Sequence, residues 1–140
     1  MRRLVIATAF AALAVTGALA QGDPVDQREA LFKEWGRATR PVGDMLKGDA
    51  AFDLAKVQAA LDLYVKNAKV LPGLFPPGAT GNAQPAVWSR NDEFKALFAK
   101  FEQDATAARA AITDEASFKA NFPGVVRTCG TCHETFRVKK

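Results

Sequence analysis

Cys129, Cys132 and His133 fall within five consecutive residues of the stretch RTCGTCHETFR, Arg127–Arg137. They are the two cysteines and the one histidine of a 140-residue chain. The pattern Cys-x-x-Cys-His is the attachment signature of a c-type haem. On a helical turn, two thiols three residues apart can each add to a vinyl group of one porphyrin and form two thioethers. The imidazole of the next residue then projects toward the iron as the proximal ligand. One short segment supplies both the covalent tether and the axial ligand.

Three other chemistries use the same residue types. A structural zinc site needs four ligands, and this chain offers three Cys and His candidates, so a carboxylate or a second chain would have to complete it. A thioredoxin-like dithiol needs a βαβ setting, for which no strand-like alternation is present. A disulfide between Cys129 and Cys132 is open to an exported protein, but it leaves His133 without a role. Haem attachment accounts for all three residues.

Export is itself legible. Arg2 and Arg3 precede an apolar run from Leu4 to Ala14, and Ala18-Leu19-Ala20 forms a small-residue cleavage site before Gln21. This is the pattern of a secretory signal peptide. The expected division is a leader over residues 1–20 and one domain over 21–140, located in the periplasm. An uncleaved anchor is the other reading, although the apolar run is short for a membrane span, so the mature form is expected to have none. Loss of Arg2 and Arg3 takes Lys plus Arg from 19 to 17 against 15 acids, a net charge of about +2. No basic run is interleaved with aromatics, so nothing marks a nucleic-acid surface. With 49% hydrophobic and 24% charged residues, the balance is that of a globular chain with one core.

Four segments with a 3.6-residue apolar period must position the motif. The first opens at Asp23-Pro24, carries Val25, Leu31, Phe32, Trp35, Thr39, Val42 and Met45, and stops at Gly48; Pro41 predicts a kink or break near Thr39. The second starts near Asp53, carries Leu54, Val57, Leu61, Tyr64 and Ala68, and ends at Pro72-Gly73. The third starts around Ser89–Asn91 with Phe94, Phe98, Phe101 and Ala105. The fourth runs from about Asp114 to Arg137, with Phe118, Phe122, Val125, Cys129, Cys132 and Phe136 near one face and an expected interruption at Pro123-Gly124. Between the second and third, Leu71–Trp88 contains four prolines and three glycines. It is too long for a tight turn and must cross over the helices. The fold class is all-α: an antiparallel four-helix bundle with a long crossover between helices 2 and 3.

A Cys-x-x-Cys-His on the last helix of such a bundle resembles cytochrome c-prime, the class II c-type cytochromes. The resemblance extends to REALF at Arg28–Phe32, KGDAAFDLAKVQA at Lys47–Ala59, LFPPGAT at Leu74–Thr80, AVWS at Ala86–Ser89 and TCGTCHETFR at the end. It covers essentially all of Arg28–Arg137. It implies one haem c, with Phe32 over its distal face, and Arg28, one turn earlier, beside a haem propionate. It implies binding of the small gases nitric oxide and carbon monoxide, with nitric oxide able to end on the proximal side near Arg137, and homodimers through helices 1 and 2. Read without the resemblance, Phe32 is a core aromatic, Arg28 a surface partner of Glu29 or Asp26, and Arg137 a solvated cation at a helix end.

The sixth iron ligand decides the function. A second histidine is excluded, and Met45 lies thirteen residues beyond Phe32, about 20 Å along a straight helix. Low-spin relatives place methionine where this chain has Phe32. The expectation is therefore five-coordinate, high-spin iron serving electron transfer, gas binding or both, with no substrate turnover. A six-coordinate, low-spin carrier and a haem-free dithiol bundle are the alternatives. The periplasmic redox partner is not identified by the sequence. Expressed in a secreting bacterial host, the mature chain should begin at Gln21 by mass spectrometry; an intact leader in the membrane fraction would establish the anchor instead.

Overall fold

The computed structural model describes residues 22–139; the leader expected over residues 1–20 falls outside them. Three of the four long helices begin where a short polar side chain takes up a free backbone N–H. Asp23 accepts from the Val25 N–H at 2.7 Å and opens α1, Pro24–Lys47, with Pro24 at the position where a missing N–H costs nothing. Gly48 closes α1 in the left-handed region at φ 86°, which suits a residue without Cβ. Asp53 accepts from the Lys56 N–H at 3.1 Å and opens α2, Leu54–Val70. A short turn, α3 at Ala86–Ser89, leads into α4, Asn91–Ala111. Asp114 and Ser117 cap each other's backbone at the start of α5, Glu115–Phe136.

Neither internal proline produces a break in its helix. α1 continues unbroken through Pro41, and α5 through Pro123-Gly124. A proline inside a helix removes one hydrogen bond, to the carbonyl four residues back. Those carbonyls belong to Arg37 and Lys119, both exposed residues, so water can serve them. Buried side chains next to each proline anchor the helix in the core there: Val42 and Met45 in α1, Phe122 and Val125 in α5.

α2 packs against α4, α4 against α5, and α1 against α2. Val57, Leu61 and Tyr64 of α2 and Phe118, Phe122 and Val125 of α5 belong to the one core, with the Tyr64 and Phe122 rings 6.4 Å apart. α1 and α5, by contrast, scarcely touch. The crossover bridges these two instead. After a 3-10 turn at Leu71–Leu74, the Gln84 N–H donates to Phe136 O and the Val138 N–H to Asn82 O, both at 2.9 Å. Trp88 Nε1 donates to Phe75 O at 3.1 Å and fixes the crossover onto the start of α4.

Tyr64 joins three helices. Its ring centroid lies 5.5 Å from Phe101, 5.9 Å from Trp35 and 6.4 Å from Phe122. Its hydroxyl is 2.6 Å from Thr39 Oγ1, which spends its own proton on Trp35 O at 2.7 Å; the Tyr64 hydroxyl therefore donates. Burial pushes that hydroxyl up to about 12 from an ordinary 10.0. A raised folded-state pKa stabilises the fold below the unfolded value and is lost as pH rises through the folded one. Thermal melts should show about 1 kcal/mol lost between about pH 9 and about pH 11 that Tyr64→Phe does not lose; equal slopes would place the hydroxyl in water.

Candidate haem-attachment site

The apolar stripe of α5 runs through Phe118, Phe122, Val125, Cys129, Cys132 and Phe136, steps of three and four that keep one face inward. The two cysteines are thus carried to the inner face by ordinary helix periodicity. They are half-buried and free. His133 follows Cys132 by about 100° around the helix and stands at the edge of that face, exposed. Burial pushes the Cys132 thiol up to about 11, helped by Cys129 beside it, and raises Cys129 as well. A reactive dithiol has lowered thiol pKa values, the opposite of this setting. Burial, and then the positive charge of Arg137, lower the His133 ring, which stays neutral, the form that binds a metal. Among the described residues no three His, Cys, Asp or Glu side chains gather into an ion site, so the three motif residues do not converge as zinc ligands would.

The motif opens onto a cavity of about 700 Å³, within the size range of ligand and cofactor pockets. It fills the space between α1 and α5 that direct helix packing leaves. α5 contributes Thr128, Cys129, Cys132, His133 and Phe136; α4 contributes Phe94, Leu97, Phe98 and Phe101. α1 supplies Phe32, Trp35, Gly36 and Thr39, with the Phe32 ring edge-on to Trp35 at 5.6 Å. The exposed residues Lys33, Arg40 and Arg137 also line it. The residues fit a haem: two thiols for the tether, a neutral imidazole for the iron, aromatic walls for a flat macrocycle, and cations for its carboxylates.

Arg28 does not sit on the surface with Glu29 or Asp26; Glu29 faces Lys33 instead, at 3.9 Å. The side chain is 3% exposed and lies in the cavity wall. Its guanidinium donates to Leu74 O at 3.0 Å and Thr80 O at 2.8 Å and stacks 4.3 Å from the Phe75 ring centroid. Two of its five N–H groups are thereby spent on the crossover. Gly81, at φ 47°, presses against it: a Cβ there would lie 2.8 Å from Val25 Cγ1 and 2.9 Å from Arg28 Nη2.

The family model described as cytochrome c' matches residues 23–137. The chain belongs to the cytochrome c' family. It is 46% identical over 145 residues to cytochrome c' of Rhodopseudomonas palustris, covering 99% of both chains. The solved structure of cytochrome c' from that organism superposes with a TM-score of 0.82 at 46% identity, over 86% of this chain and 99% of that one. The nitric oxide complex of a variant cytochrome c prime from Alcaligenes xylosoxidans superposes with a TM-score of 0.76 at 26% identity, over 84% and 95%. Proteins of the cytochrome c' family carry covalently attached haem c, and Cys129, Cys132 and His133 supply the motif for it here.

Arg28, Phe32 and Arg137 all line the same cavity as the motif, whereas Met45 is buried elsewhere, 4% exposed, in the core. The sequence reading treated Phe94, Phe98 and Phe101 as packing stripe only, and overlooked Phe75, Gly36 and Arg40. The signal for Gly36 and Arg40 was present: they lie four and eight residues after Phe32, on the same helical face. Nothing local marked Phe75, which depends on the crossover path. Arg28→Met keeps the apolar stem but strands two carbonyls and should cost about 3 kcal/mol. Gly81→Ala should cost about 2 kcal/mol through clash and backbone strain. Guanidinium unfolding measures both; near-neutral values would show that the crossover is not held by this contact.

Proposed function

We propose that the mature chain, freed of residues 1–20, works in the periplasm as a haem protein with five-coordinate, high-spin iron that exchanges electrons and binds nitric oxide and carbon monoxide. Bound at the motif, haem supplies an iron that cycles between ferric and ferrous forms and has a coordination position for a diatomic ligand. His133 is read as the protein's one ligand to it, and Cys129 and Cys132 as the tether.

The observation that carries the reading is the α1 wall. α1 is continuous through Pro41, so Met45 stays about 20 Å from Phe32 along the helix axis and is buried in the core. Phe32, which has no donor atom, lines the same cavity as the motif, and we read it as the side chain that faces the iron. Its ring, with Trp35 and Phe98, makes that side of the cavity apolar. Such walls disfavour water and ions, which would have to shed hydration, and admit small uncharged molecules that have little to lose. The nitric oxide complex of the Alcaligenes xylosoxidans relative supports gas binding as the use of this arrangement. Arg137, a cavity residue beside His133, is read as acting on the proximal side. Substrate turnover is no part of the reading.

An optical and spin-resonance spectrum of the protein matured in a c-type haem host tests it. The ferric form should be high-spin and the ferrous form should take up carbon monoxide. Phe32→Met should shift the ferric spectrum toward low spin. A low-spin, six-coordinate wild-type spectrum would overturn the proposal, and an unchanged Phe32→Met spectrum would remove Phe32 from the iron.

A further inference from the structure

Thr39 is the one hydroxyl-bearing residue that α1 contributes to the cavity wall. Its Oγ1 has two partners, and neither is in the cavity. It donates to Trp35 O at 2.7 Å, on the backbone of its own helix, and accepts from the Tyr64 hydroxyl at 2.6 Å. Tyr64 is 2% exposed and lines no part of the cavity, so that bond lies behind the wall. With Oγ1 drawn back in this way, Thr39 has its methyl side left to present. A threonine in a helix does not settle this alone. Its χ1 splits between two rotamers, because Oγ1 can bond a carbonyl three or four residues back. Only one of the two keeps Oγ1 on Tyr64. The Tyr64 ring is packed against Trp35, Phe101 and Phe122 and cannot follow a turning partner. The other rotamer would therefore strand a buried hydroxyl, which is costly.

We propose that Tyr64 is a positioning residue for the haem site: from behind the wall it fixes the Thr39 rotamer, keeps that hydroxyl out of the cavity, and so raises the reduction potential of the iron. The proposal rests on electron exchange at the haem, as read above. The couple is ferric iron taking one electron to become ferrous. The ferric centre carries one more positive charge. A hydroxyl oxygen in the wall, or water that it admits, stabilises that charge, whereas a methyl group does not. Solvent access and polarity around a metal centre set its potential in this way. Tyr64 thereby biases the iron toward the ferrous form, the one read above as taking up carbon monoxide. It touches neither the cavity nor its contents, and Thr39 carries its effect.

The test is a spectroelectrochemical titration of the haem-loaded protein, of Tyr64→Phe and of the double variant Tyr64→Phe/Thr39→Val. At the wild-type midpoint, Tyr64→Phe should raise the ferric-to-ferrous ratio by about threefold or more. Valine offers a methyl in either rotamer, so the double variant should return to within about 1.5-fold of wild type. A role in packing alone predicts the opposite order, because the double variant has lost more than the single one. A double variant displaced as far as Tyr64→Phe therefore overturns the proposal. Crystal structures give a second readout: the Thr39 side chain should leave its wild-type rotamer, wholly or in part, in Tyr64→Phe. The same single rotamer in both proteins overturns the proposal as well. A wild-type haem that exchanges no electron with the electrode overturns the electron-exchange reading and this proposal with it. A reversible wild-type couple whose midpoint Tyr64→Phe does not move overturns this proposal alone.

Discussion

The site depends on a brace across the gap between α1 and α5. These helices make little contact with each other, and both are tied to the crossover: α1 through Arg28 to Leu74 and Thr80, α5 through Phe136 and Val138 to Gln84 and Asn82. The remaining seams of the bundle close by direct packing of apolar stripes, as in any amphipathic bundle. Only this one is spanned. The brace sets how far apart the Phe32 wall and the cysteine wall stand, and that separation makes room for a flat ligand.

A buried arginine is costly unless its hydrogen bonds are met. Burial lowers the Arg28 pKa, while the Glu29 and Asp23 carboxylates raise it. Backbone carbonyls and an aromatic face answer the guanidinium on the crossover side. Its remaining N–H groups lie in the cavity wall, where an anionic edge would complete the set. One side chain thus both ties the crossover and lines the cavity, and removing it would disturb both.

Much of this was legible because each signal was local. The caps at Asp23, Asp53 and Asp114 and the stop at Gly48 marked helix ends, and steps of three and four placed Cys129 and Cys132 inward. The prolines misled because proline propensity reports the helix alone. Pro41 and Pro123 are carried by tertiary packing of Val42, Met45, Phe122 and Val125, which propensity does not contain. Arg28 was recognised as a site residue, yet its partners were not, since Leu74 and Thr80 lie 46 and 52 residues away in a segment with no periodicity to read. Phe75 was missed for the same reason.

The same long separations govern the order of assembly. α4 and α5 are joined by three residues, Ile112–Asp114, and can zip together as a hairpin. The Arg28 tie must close a span of about fifty residues before any contact repays the lost chain entropy. Helical hairpins consequently precede the chamber, and the polypeptide finishes its receptacle only after the surrounding scaffold has set.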